Sequence, residues 1–348
     1  MNRKATALDV AKRAGVSRSA VSLVLNGRGD GNVAKESQDR IRQAAEELNY
    51  SPNAIALSLR NQRSRVIGIL ADEVVVSPFD GNIIGGADDV ARSRGFVTVV
   101  MDTERDTARD ASAIETLLDR QVDGLMYVTV GLKPIDVPHG MLRVPSVLAN
   151  CYDNHAQPQL HHVIPDELTG GREATEHLLA LGHRDIALLG GSEDSPAARL
   201  RVQGYRDAHA ADAPIREDRI FMAGWDIDAG YRGTMKLLDG VSPPDRPTAI
   251  MCANDRLAVG VALAAARLGL SVPEDLSIMG YDDENRIADT KVPSLPSMAL
   301  PLREIGRTAM TKLLDAIEGT DAGKGTTAET MVPCRLVTRE STGPAPTR

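Results

Sequence analysis

The 348-residue chain is 42% hydrophobic, 3% aromatic and 25% charged, which excludes a wholly disordered chain and allows a large core spread over more than one domain. Its cysteines, Cys151, Cys252 and Cys334, are far apart in the sequence, which argues against a disulfide-rich protein and a cysteine zinc site. Because no secretory signal and no apolar run of 18 residues is visible, we expect a cytoplasmic protein without a membrane segment.

The charge is unevenly distributed. Residues 1–65 hold 12 Lys and Arg against 6 Asp and Glu, a net charge of +6. The remaining residues carry a net charge of −14, so the whole chain carries −8. A small basic head on a large acidic body favours binding of the head to a polyanion such as DNA or RNA. A solvated basic surface is the alternative that charge alone leaves open.

The basic head begins with the pattern of a helix-turn-helix. The run Thr6-Ala7-Leu8-Asp9 fits a capping box, which predicts that a helix begins after Thr6. Gly15 is the residue type that ends helices in the left-handed conformation, and Ser17 is a natural N-cap for a second helix. Two short helices joined by a tight turn are therefore predicted.

The second predicted helix, Arg18 to Leu25, has one apolar side and one polar, basic side. Such a helix fits the DNA major groove, where side chains at its N-terminus reach base edges. The alternative to DNA binding is that the two helices form a helical hairpin that packs on another protein. A third amphipathic helix is expected from about Lys35 to Leu48. The candidate DNA-binding residues of this region are Thr6, Ser17, Arg18, Ser19, Ser22 and Asn26.

Two stretches carry a more specific resemblance. The run LDVAKRAGVS at residues 8–17, with Ala20-Val21-Ser22 and Val24-Leu25-Asn26 after it, resembles the headpiece of the lactose-repressor (LacI/GalR) family. The run ELNYSPNAIA at residues 47–56 resembles the family's approach to its hinge helix, and the resemblance continues through the body. It implies a sequence-specific transcriptional repressor that binds a palindromic double-stranded DNA operator as a homodimer and is released by a small carbohydrate effector.

Residues 51–65 are predicted to form a hinge helix and a linker. A helix of about two turns is marginal in water, so we expect it to form only when something packs against it. By resemblance, this helix packs against the DNA minor groove and contributes the DNA-binding residues Asn53, Ala56 and Leu59. Ala56 allows close approach, and Leu59 is an apolar wedge that opens a base step. A plain linker is the alternative.

Several positions depart from the family's pattern, among them Leu23 and Pro301. Leu23 stands where the family commonly has an arginine that reads a guanine, so we expect a different operator base there. Pro301 stands where the lactose-repressor type has an aromatic residue, so we expect the effector to be held differently.

The acidic body alternates short apolar runs with helical patterns, which predicts an α/β fold with parallel sheets. The nearly continuous runs are typical of strands buried on both faces. The predicted strands are Val66–Leu70, Val97–Val100, Leu125–Val128, Ser146–Ala149, Ile186–Leu189, Ile250–Ala253 and Leu276–Met279.

The predicted domain organisation has three parts: a headpiece (1–50), the hinge and linker (51–65), and an effector-binding and dimerisation domain (66–348). The resemblance implies that the last part is a two-lobed, periplasmic-binding-protein-like domain with three crossing strands. Lobe 1 is expected at about 66–165 and 297–327, and lobe 2 at about 166–296 and 328–340.

Open α/β sheets bind ligands at the carboxyl ends of their strands, and polar residues cluster there in this sequence. Carboxylates and amides suit sugar hydroxyls, and the sole tryptophan can stack on a pyranose face. The resemblance places five candidates where the lactose-repressor type holds its inducer, namely Asn150, Arg199, Trp225, Asn254 and Asp282, through the motifs Ala198-Arg199-Leu200-Arg201 and Gly280-Tyr281-Asp282-Asp283. The full candidate set for effector binding is Asp72, Phe79, Asn150, Arg199, Trp225, Asn254 and Asp282.

Structural roles remain open as alternatives for these side chains. Asn254 and Asp282 fit helix caps, Trp225 fits a core residue, and Arg199 fits an ion pair.

Signals for an enzyme are poor. The sequence contains no HExxH or GxSxG motif and no GxGxxG after a strand. His161 and His162 are adjacent and would point to opposite faces of a strand, which is poor metal geometry. We therefore expect no catalytic activity, no metal and no cofactor. Two alternatives remain: the same regulator with a nucleoside, a purine or a phosphoprotein co-repressor, and a sugar-binding protein that does not bind DNA.

Overall fold

The computed structural model describes residues 5–50, 63–73, 78–155, 160–212, 214–320 and 329–347. The chain divides into two compact units, Met1–Arg65 with Gln121–Asp123 and Val66–Arg120 with Gly124–Arg348. The predicted hinge helix, with Asn53, Ala56 and Leu59, lies outside the described residues.

The described residues of the first unit form three helices, α1 (Ala7–Ala14), α2 (Arg18–Leu25) and α3 (Lys35–Glu47). They enclose a small core to which each helix contributes. Burying these side chains offsets the marginal stability of such short helices. The buried core residues are Val10, Ala11, Ala14, Val21, Val24, Ile41, Ala44 and Ala45.

The predicted helix ends are confirmed. Thr6 and Asp9 form a capping box, in which the Asp9 amide donates to Thr6 Oγ1 (3.4 Å) and the Thr6 amide donates to Asp9 Oδ2 (2.9 Å). Gly15 ends α1 with φ of 67°, and Ser17 caps α2 by accepting from the Ala20 amide (3.1 Å). Local polar groups thus fix the turn between the two helices.

In the part of the second unit that the structure describes, the strands form two six-stranded sheets, in agreement with the predicted α/β fold. In the first sheet the strands lie in the order β11-β5-β4-β3-β1-β2, and each pairing is parallel. Its strands are β1 (Val66–Ala71), β2 (Val97–Asp102), β3 (Gly124–Ile135), β4 (Ser146–Asp153), β5 (His161–Pro165) and β11 (Glu329–Val332).

The second sheet has the order β12-β10-β9-β8-β6-β7. Its pairings are parallel except for the antiparallel pair of β10 and β12. Its strands are β6 (Ile186–Gly190), β7 (Ile220–Met222), β8 (Ala249–Cys252), β9 (Ser277–Asp282), β10 (Ser297–Ala299) and β12 (Arg335–Val337).

Helices connect the strands and cover the two sheets. Apolar side chains from these helices and from the strands form separate buried clusters in each lobe. Within the described ranges, no helix combines the length and the apolar character that crossing a bilayer requires. The helices are α4 (Pro78–Ser93), α5 (Thr107–Asp119), α6 (Glu167–Ala180), α7 (Pro196–Asp212), α8 (Ile227–Leu238), α9 (Asp255–Arg267) and α10 (Leu302–Glu318).

One strand contradicts the expectation of burial on both faces. β2 lies at the edge of the first sheet, where Val97 is 63% exposed and Val99 is 40% exposed. The apolar run predicts a strand, but burial depends on which strands and helices flank it. A buried strand and an apolar edge strand have the same local sequence pattern.

The expected lobe boundaries near the C-terminus are wrong by one strand each. β10 (Ser297–Ala299) pairs with β9 and so belongs to the second sheet, although residues 297–327 were expected in lobe 1. β11 (Glu329–Val332) pairs with β5 in the first sheet, although residues 328–340 were expected in lobe 2. The chain therefore returns to the first lobe after β10 and leaves it after β11.

Candidate functional site

A cavity of about 650 Å³ lies between the two sheets of the second unit. It forms at the carboxyl ends of parallel strands, where loops from both lobes meet. Of the seven predicted effector-binding residues, the structure places five on its wall, namely Phe79, Asn150, Trp225, Asn254 and Asp282. Sequence reasoning therefore located the cleft, but it misplaced two of the side chains.

Asp72 is buried behind the wall rather than on it. One of its carboxylate oxygens accepts from the Val130 amide (2.7 Å), and the other accepts from the Lys133 ammonium. Lys133 lines the cavity. Asp72 therefore positions a lysine of the wall and does not itself face a ligand.

Arg199 does not line the cleft. Its side chain is exposed and donates to the Glu193 carbonyl (2.9 Å), whereas the neighbouring Arg201 is buried and lines the cavity. Both arginines lie on α7. A spacing of two residues in an α-helix corresponds to a rotation of about 200° around the helix axis, so the two side chains point in nearly opposite directions. The choice of Arg199 from the motif was wrong because the motif does not reveal which helix face turns inward.

Arg201 is held by carboxylates on two sides. Its guanidinium donates through Nε and Nη2 to Glu167 (2.8 and 2.7 Å), and its Nη1 lies 3.4 Å from Asp282 Oδ1. The guanidinium also stacks over the Tyr281 ring, 3.7 Å from the ring centroid. Burial opposes the positive charge, but Glu167 and Asp282 raise the pKa of Arg201 above its ordinary value.

Asp282 lies at the end of β9, and burial raises the pKa of its carboxyl well above the ordinary value, against the lowering effect of Arg201. Its backbone has a φ of 100°, a conformation that few residues other than glycine adopt. The side chain is 7% exposed and faces the cavity. A ligand that donates a hydrogen bond would satisfy this oxygen-rich position.

Asn254 combines a cap with a place on the cleft wall. Its Oδ1 accepts from the Leu257 amide (2.8 Å) at the start of α9, and its Nδ2 donates to the Trp225 carbonyl (2.9 Å). Asn254 therefore acts as the helix cap that was its structural alternative, and it also lies on the cleft wall.

Trp225 lies against the core of the second lobe and reaches the cavity. Its indole packs on the backbone of Gly191, where an added Cβ would lie 2.2 Å from the ring. The guanidinium of Arg201 is 5.9 Å from the indole centroid. The ring is thus held in place beside the buried charges and offers a flat apolar face.

Asn150 lies inside β4 rather than after it. Its φ is 60°, and its Nδ2 donates to the Thr129 carbonyl (2.9 Å), next to a register shift between β3 and β4. Asparagine is one of the few residues that tolerate this left-handed conformation. The irregularity directs its side chain to the wall of the cavity.

Besides Lys133 and Arg201, two further cations of the wall, Arg105 and Arg256, were not predicted from the sequence. Arg105 pairs with Glu73, and Arg256 is held in a bidentate pair by Glu284 (2.9 and 2.8 Å). Each lies on a helix or loop whose inward face the sequence does not specify. Within the described ranges, no group of three or more His, Cys, Asp or Glu is placed to hold a metal ion.

The DNA-binding candidates of the first unit lie on or beside α1 and α2. Arg18 and Ser19 are exposed, whereas the side-chain amide of Asn26 donates to the Ser22 carbonyl (2.6 Å). Thr6 and Ser17 act as helix caps. The first turn of α2 therefore presents small polar groups and one arginine to solvent, an arrangement that suits a major groove.

Comparisons with known proteins agree with this architecture. Residues 6–53 match the family described as "Bacterial regulatory proteins, lacI family", and residues 175–342 match a periplasmic binding protein-like domain. The "HTH-type transcriptional repressor CytR" of Escherichia coli (strain K12) is 32% identical over 98% of this chain and 97% of its own length.

Two solved structures are similar over nearly the whole chain. The lac repressor dimer bound to operator and the anti-inducer ONPF has a TM-score of 0.79 and 30% identity, covering 98% of this chain and 100% of that chain. A complex of the transcriptional regulator CelR with cellobiose has a TM-score of 0.67 and 29% identity, covering 97% and 99%.

A helix-turn-helix unit, followed in the chain by a two-sheet unit with a ligand-sized cleft, defines a DNA-binding transcriptional regulator with an effector domain. The chain belongs to the lacI family of bacterial regulatory proteins.

Proposed function

We propose that the protein is a repressor that binds a palindromic operator as a homodimer and is released when a small carbohydrate enters the cleft. The observation that carries this proposal is the convergence of Trp225, Asn150, Asn254 and Asp282 on one 650 Å³ cavity. An apolar ring beside several hydrogen-bonding groups is the combination that sugar recognition uses.

The DNA-binding part of the proposal rests on the first unit. Its excess of positive charge attracts the phosphate backbone, and the exposed start of α2 carries Arg18 and Ser19. Asn53, Ala56 and Leu59 are proposed to add minor-groove contacts. The lac repressor dimer cited above is bound to its operator, which supports the same mode for this chain.

The homodimer is supported by the exposed apolar edge of the first sheet. Val97, Val99 and Val100 are 63%, 40% and 39% exposed on β2, the strand at the end of that sheet. Several exposed valines on one short edge strand are unfavourable in water and favour pairing with an equivalent surface. A second copy of this chain, related by a two-fold axis, supplies such a surface and matches a palindromic site.

A nucleoside or a purine is the second candidate effector. The Trp225 ring would stack on a planar base as well as on a pyranose, and Asp282 accepts from an N–H as well as from a hydroxyl. Both effector classes therefore suit the same groups.

The test is a binding screen followed by an operator titration. Full-length protein is screened by thermal shift against mono- and disaccharides, nucleosides and purines, and genomic fragments that it retains are titrated with and without each hit. We expect a sugar to raise the melting temperature and to weaken operator binding. If no sugar changes operator binding, the proposed induction is wrong.

A further inference from the structure

The cations of the cleft wall are already neutralised by the chain. Four Lys and Arg side chains line the described part of the cavity, and each has a carboxylate partner. The pairs are Lys133 with Asp72, Arg105 with Glu73, Arg201 with Glu167, and Arg256 with Glu284. Each of these four cations is therefore already paired with a carboxylate when an anion enters the cavity.

The Arg201–Glu167 pair is the most buried of the four. The side chains are 4% and 2% exposed. Nε and Nη2, which form a fork on the guanidinium, donate to the two carboxylate oxygens of Glu167 at 2.8 and 2.7 Å. Nη1 donates to the Ala253 carbonyl and lies near Asp282, so each of the three guanidinium nitrogens has a partner. This fork is the geometry with which arginine binds a carboxylate or a phosphate of a ligand.

We infer that Glu167 is a specificity-determining residue that occupies Arg201 as a resident carboxylate and thereby closes the cleft to anionic effectors. An anion would have to displace Glu167, which would leave a buried carboxylate without its partner. The effector is therefore an uncharged molecule with hydroxyl or N–H donors, which excludes sugar phosphates and nucleotides. This inference rests on the proposed function and narrows its effector class.

Asp282 on the cavity wall also favours an uncharged effector that donates hydrogen bonds. The side chain of Asp282 is 7% exposed, and within the described residues the only hydrogen bond of its carboxyl group is the long contact of Oδ1 with Arg201 (3.4 Å). Asp282 thus offers a carboxyl oxygen that accepts from hydroxyl and N–H groups, and in its ionised form it repels a phosphate.

The experiment uses the sole tryptophan as a reporter, because Trp225 lies on the cavity wall 5.9 Å from the Arg201 guanidinium. Inorganic phosphate is titrated into full-length wild type, Glu167→Gln and Glu217→Gln at constant ionic strength. Glu217→Gln is the matched control, because Glu217 holds Arg206 of the same helix in an equally bidentate but exposed pair. Emission and melting temperature are recorded.

We expect phosphate to cause a saturable change of emission and a rise of about 2–4 °C in melting temperature for Glu167→Gln only. A saturable response of the wild type, an equal response of Glu217→Gln, or no response of Glu167→Gln overturns the inference. If Glu167→Gln does not fold, Glu167→Asp replaces it, since its carboxylate is one methylene too short for the fork. A smaller saturable response is then expected, and the absence of any response of Glu167→Asp would contradict the inference.

DNA binding is measured on the same preparations. If the wild type fails to bind DNA, the proposed function is wrong, whereas the phosphate result reports on Glu167 alone.

Discussion

The side-chain amide of Asn254 donates to the backbone carbonyl of Trp225, 2.9 Å away, while its oxygen caps α9. One residue therefore connects the start of a core helix to the loop that carries the indole. A change at Asn254 is expected to act on both stability and effector binding, and two substitutions separate these effects.

Asn254→Ala removes the cap and the bond to Trp225, whereas Asn254→Ser keeps a good capping oxygen and loses only the amide donor. We expect Ala to reduce the free energy of unfolding by about 1 kcal/mol and Ser to reduce it by less. Both substitutions should weaken effector binding. Titration followed by Trp225 fluorescence measures the binding, and urea denaturation measures the free energy of unfolding. Equal stability of the two variants would contradict the capping role.

Arg201→Ala should be strongly destabilising, because it leaves Glu167 and Asp282 buried without their cation. Removing one partner of a buried pair costs about 3–5 kcal/mol. Arg199→Ala is the control on the same helix, and as an exposed residue it should change the free energy of unfolding by less than about 0.5 kcal/mol. Urea denaturation compares them, and similar losses for the two would contradict the assignment of Arg201 to the cleft.

Val97→Glu should convert the proposed dimer to monomers, because it places a charge on the exposed edge strand β2. Met331→Glu is its control, since Met331 is 56% exposed on β11, the strand at the opposite end of the same sheet. Sedimentation velocity measures the oligomeric state. The proposed interface is wrong if Val97→Glu remains dimeric or if Met331→Glu dissociates equally.

Arg18→Gln should weaken operator binding by about 1–3 kcal/mol and leave effector binding intact, because Arg18 is exposed at the start of α2. Arg206→Gln removes an equal charge from the body and should not change operator affinity. Fluorescence anisotropy at several salt concentrations measures both. Loss of effector binding in Arg18→Gln would contradict the separation of the two functions.

Asp255 should make stability depend on pH, because the pKa of its carboxyl is raised to about 7. Burial is the largest cause, bonds from Ser297 and the Glu284 amide oppose it, and the charges of Asp283 and Glu284 add to it. Between pH 3.8 and 7 the folded state keeps a proton that the unfolded state has lost. The stability contributed by this group is therefore greatest at low pH and falls as pH rises to about 7.

Urea denaturation of wild type and Asp255→Asn from pH 4 to pH 8 tests this sign. The free energy of unfolding of the wild type minus that of the variant should decrease between pH 4 and pH 7 and then remain constant. A difference that is independent of pH would show that Asp255 titrates normally in the folded protein.

Features that depend on neighbouring residues in the chain were predictable from the sequence. The capping box of Thr6 and Asp9, the left-handed Gly15 and the Ser17 cap follow from local hydrogen bonding and backbone sterics, and the structure confirms each. The same holds for the alternation of strands and helices in the body.

Features that depend on long-range packing were not predictable in the same way. The exposure of Val97 depends on β2 being an edge strand, and the inward position of Arg201 rather than Arg199 depends on how α7 lies against α6. The lobe assignment of β10 and β11 depends on strand pairing across more than a hundred residues for β11. Local sequence carries no signal for these choices.

The most direct test of the account is the affinity of full-length protein for a retained genomic fragment, measured by anisotropy with and without the sugar that most changes Trp225 emission. We expect steeply salt-dependent binding that this sugar weakens, and we expect a Trp225→Ala variant to bind the fragment equally but no longer to respond to the sugar. Failure to bind any fragment at low salt, or DNA affinity unchanged by a sugar that occupies the cleft, would contradict the proposed function.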